Sequence, residues 1–274
     1  MAEYFKLSSR QNPRVKQVVK LRNRRERDET GLTVLEGYRE LSRAFEYGMK
    51  MRECFFCPAM FLGENEYGLL ETLAKAGVEV YEVPENILSL LAYRDRPEGL
   101  IATAEMRKHR LEDIPVIEGG LYLIAEAIEK PGNLGSMLRS ADAAGVNGLI
   151  ICDKSTDIYN PNVIRASTGA LFTVPLAETD SDSAMAWLKK HRILTLAATP
   201  HTDKIYTDVN MSGGVAIVVG TEQVGLTDFW MNNADLKVLI PMLGRIDSLN
   251  VATATTILLY EAARQRNWKS ACRV

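Results

Sequence analysis

Three polar, glycine-rich segments of the sequence each adjoin a predicted strand. They occupy residues 129–141, 218–226 and 240–251. In an α/β sheet the ligand crevice lies at the carboxyl ends of the strands, where all three segments can converge. Read singly, each segment is also explained by helix capping and turn formation. Three such segments at strand ends together favour a binding or catalytic site.

The sequence lacks the motifs of several common enzyme classes. No G-x-G-x-x-G follows a predicted strand, and there is neither a G-x-x-x-x-G-K-[ST] phosphate loop nor a G-x-S-x-G nucleophile turn. The three histidines also lie outside the glycine-rich segments. These observations argue against a Rossmann oxidoreductase, a P-loop nucleotidase and a Ser/His/Asp hydrolase.

Neither a metal site nor a membrane segment is predicted. Cys54 and Cys57 have the spacing of half a zinc site, but no second pair and no nearby histidine completes it. We therefore interpret them as small buried side chains and expect no metal. Because the sequence has no apolar run of about 18 residues and no signal-peptide core, we expect a cytoplasmic protein without a membrane partner.

The elements that must position the three segments form two α/β regions. The sequence is 46% hydrophobic and 25% charged, which is typical of soluble globular proteins. Its 274 residues are enough for two domains. Residues 32–104 alternate short predicted strands and helices, and the charged stretch 105–113 is the best candidate linker. From residue 121 the strands are more apolar, which favours a mainly parallel sheet covered on both faces. The predicted strands of this second region are 121–127, 148–152, 171–176, 193–198, 215–219 and 236–240, followed by a long helix over 249–266.

The order and spacing of the three polar segments, over residues 118–266, resemble the signature motifs of the SpoU branch of the SPOUT methyltransferases. The resemblance implies transfer of a methyl group from S-adenosylmethionine to a ribose 2′-hydroxyl of RNA, by a homodimer whose cofactor site is a trefoil knot. It also implies that Arg139 acts at the 2′-hydroxyl. The other catalytic candidates that it implies are Asn133, Glu222, Ser248 and Asn250. The implied cofactor-binding candidates are Thr199, Gly220, Ile240, Pro241, Met242 and Leu249.

The chemistry of Arg139 limits its role. Because a guanidinium is effectively always protonated in proteins, Arg139 is better suited to orient a phosphate and stabilise a developing alkoxide than to act as a simple base. Two positions depart from the family pattern: Gln223 stands where many relatives have Gly, and Asp247 where several have Glu. Both leave the loops polar and bear on the shape of the cofactor loops.

Residues 9–16 and 34–37 resemble the family's substrate-binding domain, which is similar to the ribosomal protein L30e fold. We predict an α/β protein in which an L30e-like RNA substrate-binding domain over residues 1–108 precedes a knotted SPOUT domain with a mainly parallel sheet over residues 118–274. This arrangement is typical of relatives that act on rRNA, and favours large-subunit rRNA over tRNA. The alternatives are a tRNA methyltransferase and a non-catalytic RNA-binding protein on the same folds. The intact polar residues of the site argue against the second alternative.

Basic residues are concentrated near the N terminus. The whole chain has a formal net charge of −2, whereas residues 6–27 contain nine basic residues and one acidic residue, Glu26. This asymmetry suggests a polyanion partner, and phosphate contacts from this segment are expected to supply RNA affinity. The RNA-binding candidates are Arg10, Arg14, Lys16, Arg22, Arg24 and Arg25.

Overall fold

The computed structural model describes residues 4–269, which divide into two compact units. The first unit contains the chain up to residue 108 together with residues 159–173, and the second contains residues 109–158 and the chain from residue 174. Residues 159–173 thus group in space with the first unit, although in sequence they fall inside the domain that we predict over residues 118–274.

The helices and strands follow one another as expected for an α/β protein. The strands are β1 (Phe5–Lys6), β2 (Leu32–Glu36), β3 (Met51–Phe56), β4 (Glu79–Glu82), β5 (Leu100–Glu105), β6 (Leu121–Glu126), β7 (Gly148–Cys152), β8 (Leu176–Thr179), β9 (Leu194–Ala198), β10 (Val215–Val219) and β11 (Leu236–Val238). The helices are α1 (Pro13–Lys20), α2 (Arg24–Thr30), α3 (Tyr38–Glu46), α4 (Glu66–Lys75), α5 (Glu85–Leu91), α6 (Pro131–Ala143), α7 (Pro161–Ser167), α8 (Ala170–Thr173), α9 (Ser181–Lys190), α10 (Asp228–Asn233) and α11 (Val251–Gln265).

The first unit is built on a five-stranded mixed sheet with the strand order β1-β4-β3-β5-β2. β5 runs antiparallel to β2 and β3, whereas β4 is parallel to β1 and β3. The apolar side of helix α1 carries Val15 and Val18. These two side chains belong to one buried cluster that includes Phe55 and Ile101 of the sheet. The basic residues of α1 therefore lie on its other, more exposed side.

The second unit contains a six-stranded parallel sheet with the order β11-β9-β10-β6-β7-β8. Strands β6, β7 and β10 are buried along their whole length, as expected for parallel strands covered on both faces. The register places Ala125 opposite both Val219 and Ile151. Because these strands end at the same level, the segments that follow β6 and β10 leave the sheet side by side.

The strand predicted over residues 171–176 is wrong. Ala170–Thr173 forms helix α8, and strand β8 begins only at Leu176. Gly169, with φ +88°, adopts the left-handed conformation immediately before α8, and Pro175 has no N–H to donate to a strand ladder. The periodicity of a short apolar run does not distinguish a buried helix from a strand, which is why the prediction failed.

The ends of two further elements differ slightly from the prediction. Strand β11 ends at Val238 because the backbone of Leu239 pairs instead with Lys204 and Tyr206, at 2.9 and 3.1 Å. Helix α11 begins at Val251, immediately after its N-cap Asn250. The polar loop between these elements is therefore 239–250.

The cysteines between residues 4 and 269 are buried side chains, as the sequence predicts for the first pair. Cys54, Cys57 and Cys152 are free and buried, and burial raises the pKa of the Cys54 thiol to about 12. Cys272 lies outside the described residues. Between residues 4 and 269 there is no group of three or more His, Cys, Asp or Glu residues placed to hold a metal. In the same range no helix is both long enough and apolar enough to span a bilayer.

Candidate active site

Three of the predicted catalytic residues meet in one hydrogen-bond network. Asn133 lies in the first turn of α6, Glu222 follows β10, and Asn250 is the N-cap of α11. Glu222 Oε1 accepts from Asn133 Nδ2 at 2.7 Å and from Asn250 Nδ2 at 2.5 Å. Asn250 Nδ2 also lies 3.1 Å from Asn133 Oδ1. The structure thus brings together one residue from each of the three polar segments.

The helix that follows fixes the orientation of the Asn250 amide. Asn250 Oδ1 accepts from the backbone N–H groups of Ala252 and Thr253, at 3.0 and 3.3 Å. The amide oxygen must face these N–H groups, because the first amides of a helix need acceptors. The amide nitrogen therefore faces Glu222, so that one side chain caps α11 and joins the network.

The Glu222 carboxylate is surrounded by donors. Lys130 Nζ pairs with Oε2, and the backbone N–H of Val251 also donates to the carboxylate. The Lys130 hydrogen bond is the largest cause that holds the pKa of Glu222 below its usual range, and it outweighs the partial burial that acts in the opposite direction. Glu222 is consequently a stable anion that ties the segments together. Its lowered pKa makes it a poor proton acceptor near neutral pH.

Sequence reasoning missed Lys130. It precedes Asn133 in the same polar segment, and its ammonium forms the ion pair with Glu222 across 92 positions of the chain. The available signal was the acidic residue in the second segment, because a carboxylate in a converging set of loops requires a cationic or hydrogen-bonding partner. Local patterns do not identify that partner.

Arg139 is exposed on α6 and is not part of the network. Its guanidinium makes no hydrogen bond or ion pair with any residue that the structure describes. The opposite side of α6 is anchored, because Leu134, Met137 and Leu138 are fully buried. Glu222 therefore accepts from Asn133 rather than from Arg139. The position of Arg139 is fixed by a packed helix, while its charged group remains available to a substrate.

The loop between β10 and α10 requires glycine at its first position. The backbone N–H of Thr221 donates to the Gly225 carbonyl at 3.0 Å, and the N–H of Gly225 donates back at 3.1 Å. A Cβ atom on Gly220 would lie 2.2 Å from the Gly225 carbonyl oxygen, which is not tolerated. Gly220 therefore permits the tight closure that holds Glu222 at the sheet edge.

The remaining candidates, Ser248 for catalysis and the others for cofactor binding, lie in segments that follow β9 and β11. Thr199 is buried after β9, with its N–H bonded to the Val238 carbonyl at 2.9 Å. Ser248 is exposed, and its hydroxyl has no partner among residues 4–269. The other candidates, which are half-buried except for the exposed Pro241, are Ile240, Pro241, Met242 and Leu249.

The loop containing these residues offers unused backbone donors. From residue 240 to residue 249, no backbone N–H donates a hydrogen bond to another described residue. A polar ligand with hydrogen-bond acceptors, such as an adenosyl group, needs donors of this kind. Backbone N–H groups can bind these acceptors without a dedicated side chain. The loop therefore fits a nucleoside-containing cofactor.

The predicted RNA-binding residues differ in their surroundings. Arg10 and Lys16 are exposed and have no partner among the described residues. Arg24 pairs with Asp28 at 3.5 Å, and Arg25 pairs with Glu29 at 2.7 Å. Each acidic partner lies one turn further along α2. Such exposed pairs are weak and exchange readily for phosphate.

Arg14 and Arg22 have intramolecular partners. Arg14 pairs with Glu53 and Glu79, and its guanidinium lies 5.0 Å from the centre of the Tyr81 ring. Arg22 donates to the backbone carbonyls of Leu90, at 2.8 Å, and Ala92. Both arginines thus hold parts of the first unit together.

The fold and site define an α/β enzyme whose ligand site lies at the carboxyl edge of a parallel sheet. Residues 120–260 match the SpoU rRNA Methylase family, and residues 12–102 match the MRM3-like substrate binding domain. The chain therefore belongs to the SpoU rRNA methylase family and carries a substrate-binding domain in front of the methylase domain.

Relatives of known activity cover nearly the whole chain. The 23S rRNA (uridine(2479)-2′-O)-methyltransferase of Streptomyces viridochromogenes is 33% identical over 252 residues, which are 90% of this chain and 87% of that protein. The crystal structure of an RNA 2′-O ribose methyltransferase has 38% identity and a TM-score of 0.85, covering 96% of this chain and 100% of that one. The AdoMet-bound rRNA methyltransferase from Sinorhizobium meliloti has 31% identity and a TM-score of 0.86, covering 94% of this chain and 97% of that one.

Proposed function

We propose that this chain transfers the methyl group of S-adenosylmethionine to a ribose 2′-hydroxyl of 23S rRNA. The observation that carries the proposal is the network of Asn133, Glu222 and Asn250, which joins the three segments that resemble the SpoU motifs. The name of the Streptomyces viridochromogenes relative supports rRNA over tRNA, because its similarity includes the substrate-binding domain as well as the methylase domain.

The loop at 240–249, with Gly220 and Thr199, would hold the cofactor. Its free backbone donors suit the acceptors of an adenosyl group, and the name of the Sinorhizobium meliloti structure supports S-adenosylmethionine as that ligand. The cofactor supplies an electrophilic methyl group on a positively charged sulfur. The role of the Glu222 network is to keep the surrounding loops in one arrangement, so that the methyl group and the ribose oxygen meet in line.

Arg139 acts on the ribose. The 2′-hydroxyl gives up its proton to solvent water as O2′ bonds to the methyl carbon and the bond between sulfur and that carbon breaks, so negative charge develops on the oxygen. The Arg139 guanidinium stabilises that charge and orients the adjacent phosphate. It is free to do so because it has no partner in the described part of the chain. No metal is assigned to the reaction.

We also propose that the protein is a cytoplasmic homodimer assembled through the second unit, with the cofactor loops knotted. Large apolar side chains of these loops are exposed: Val224 by 82%, Leu243 by 97% and Ile246 by 64%. Exposed apolar side chains of this size favour contact with another protein surface. Light scattering at micromolar concentration tests the assembly, and a monomer mass would contradict it.

Transfer of a tritiated methyl group from S-adenosylmethionine tests the activity directly. The substrates are transcribed 23S rRNA and a tRNA mixture, both free of modification, and EDTA is added in a parallel arm. We expect label in 23S rRNA at a ribose that then resists alkaline cleavage, with or without EDTA. Label in tRNA alone would make the substrate assignment wrong, and the absence of transfer to either RNA would make the enzymatic assignment wrong.

A further inference from the structure

A buried carboxylate lies at the carboxyl end of strand β6. Glu126 is the last residue of that strand and is 2% exposed. Its Oε2 atom accepts from the backbone N–H of Thr227 at 2.9 Å, and its Oε1 atom accepts from the Thr227 hydroxyl at 2.6 Å. No cation between residues 4 and 269 pairs with this carboxylate. Because a buried charge depends on its donors, loss of either hydrogen bond is strongly unfavourable.

Thr227 does not act as an N-cap threonine usually does. It is the N-cap residue of α10, but its side chain makes no capping hydrogen bond to that helix. The hydroxyl of an N-cap threonine normally accepts from one of the first backbone N–H groups of the helix. Here the hydroxyl donates to Glu126 instead. The side chain therefore serves the contact with β6 rather than the start of α10.

The contact with Glu126 lies at one end of the loop that carries Glu222. This loop follows β10, closes on itself through the paired backbone groups of Thr221 and Gly225, and ends at Thr227. Glu222 joins the loop to the other polar segments of the site. The loop is thus held at two separate places.

Glu126 also immediately precedes the polar segment that donates to Glu222. The next residue, Ala127, adopts the left-handed backbone conformation, with φ +51°, and its N–H donates to the Cys152 carbonyl at 2.9 Å. The chain therefore turns sharply at the end of β6. One residue at this turn binds the end of the loop whose Glu222 the following segment contacts.

We infer that Glu126 is a positioning residue for the cofactor, which acts through Thr227 to hold the loop 220–227 in the arrangement that binds the cofactor. One contact at Glu222 would leave the loop free to rotate, whereas a second contact at its end fixes its orientation. Binding sites generally depend on such supporting contacts behind the residues that touch the ligand. The inference rests on the proposed function, because it takes S-adenosylmethionine as the ligand of these loops.

Thr227→Val tests the inference through cofactor binding. Valine has nearly the shape of threonine but no hydroxyl, so Glu126 Oε1 loses its donor. Isothermal titration of the full chain with S-adenosylmethionine should give a Kd about 5-fold or more higher, because a lost hydrogen bond to a charged group has an effect of this order. Equal Kd values for Thr227→Val and the unchanged protein would overturn the inference.

Conservative variants should rescue the affinity. Thr227→Ser keeps the hydroxyl and should restore the Kd of the unchanged protein. Glu126→Gln should also bind nearly normally, because the amide oxygen can accept from the N–H while the hydroxyl turns to accept from the amide nitrogen. A Kd as high in Thr227→Ser as in Thr227→Val would contradict the role assigned to the hydroxyl.

Thr195→Val is the matched control. Thr195 is 1% exposed, and its hydroxyl and N–H both donate to Asp235 Oδ2, at 2.7 and 2.8 Å. It is the second residue of β9, so this pair lies at the amino end of the same parallel sheet. Its loss should lower the melting temperature and leave the Kd for S-adenosylmethionine unchanged. An equal rise in Kd in this variant would make the effect one of general destabilisation and overturn the inference.

Amide hydrogen exchange measures the contact without cofactor. Residues 220–227 should exchange faster in Thr227→Val than in the unchanged protein, whereas residues 215–219 of β10 should not. Unchanged exchange of the loop would contradict the inference. If Thr227→Val does not fold, Thr227→Ala replaces it, because the smaller side chain admits water to the carboxylate. An unchanged Kd in that variant would also count against the role of the contact.

The outcomes separate this inference from the proposed function. In methyl transfer by Thr227→Val, the KM for S-adenosylmethionine should rise while the KM for RNA stays unchanged. A chain that methylates 23S rRNA with the same KM values in Thr227→Val remains a methyltransferase but lacks this positioning contact. A chain that does not bind S-adenosylmethionine loses the proposed function, and hydrogen exchange then decides whether Glu126 holds the loop.

Discussion

Asn250 caps helix α11 with its amide oxygen, and its amide nitrogen donates to Glu222 at 2.5 Å. The start of α11 and the geometry of the site therefore depend on the same side chain. This coupling makes it possible to separate the stability contribution of Asn250 from its contribution to the site.

Replacement of Asn250 by Ser should lower methyl transfer more than stability. Serine is a good N-cap but is too short to donate to Glu222, so kcat/KM should fall about 10-fold or more while the melting temperature changes little. Asn250→Ala, the control, loses the cap as well and should lower the free energy of unfolding by about 1 kcal/mol. Equal activity of Asn250→Ser and the unchanged protein would show that the network does not support catalysis.

Arg139→Ala should lower kcat by about 10²-fold or more and leave the stability unchanged. The side chain is exposed and has no described partner, so its removal breaks no internal contact, whereas charge stabilisation in the transition state disappears. Single-turnover methyl transfer and a thermal melt measure the two effects. Lys189→Ala removes an exposed cation on α9 and serves as the control. Near-normal turnover in Arg139→Ala would remove this residue from the active site.

Gly220→Ala should abolish cofactor binding. The added Cβ atom would lie 2.2 Å from the Gly225 carbonyl oxygen, so the loop that holds Glu222 must open. Gly132→Ala is a matched control in the neighbouring segment, because a Cβ atom there meets nothing within 4 Å. Isothermal titration with S-adenosylmethionine should therefore show binding to the Gly132 variant and not to the Gly220 variant. Similar affinity of both variants would contradict the assigned role of the loop.

Lys130→Met should flatten the acid limb of the stability profile. The pKa of Glu222 is lowered chiefly by Lys130, so its ionised form stabilises the protein above the unfolded-state pKa, and this stability is lost as the pH falls through the folded-state pKa. Without Lys130 the folded-state pKa shifts up toward the unfolded-state value, so the variant is less stable at neutral pH and loses less stability on acidification.

Thermal melts between neutral and acid pH measure this shift, which should be small because the Lys130 side chain is 68% exposed. Lys154→Met provides the control, since Lys154 pairs with Glu178 at 3.1 Å away from the network. Identical pH profiles of the Lys130 variant and the unchanged protein would show that the ion pair does not set the pKa.

A double variant that combines Arg10→Ala with Lys16→Ala should bind RNA more weakly without a change in stability. Both side chains are exposed and unpartnered in the described chain, and removal of each phosphate-binding cation should reduce the slope of log affinity against log salt by about 0.7–0.9. Arg14→Ala, by contrast, should lower stability because Glu53 and Glu79 lose their partner. Filter binding over a salt series, with thermal melts, distinguishes these outcomes. An unchanged salt slope in the double variant would exclude these residues from the RNA interface.

Much of the fold was predictable because the relevant signals are local. Apolar runs predicted β7 and β10 at their observed bounds, Gly148–Cys152 and Val215–Val219, and the mainly parallel character of the second sheet. The same reasoning failed for Ala170–Thr173, because a short apolar run is compatible with helix or strand until its packing partners are known. The trefoil knot, the homodimer and the domain boundaries stay predictions.

The sequence alone determined which residue types surround the site, since Asn133, Glu222 and Asn250 all lie in segments recognisable by composition and order. Only the tertiary structure decided how they are connected: Lys130 became the partner of Glu222, and Arg14 became an internal ion-pairing residue in the first unit. The physical reason is that hydrogen bonds and ion pairs form within a few ångströms, between groups that are separated here by as many as 117 positions in the chain. Local propensity carries no information about such distances.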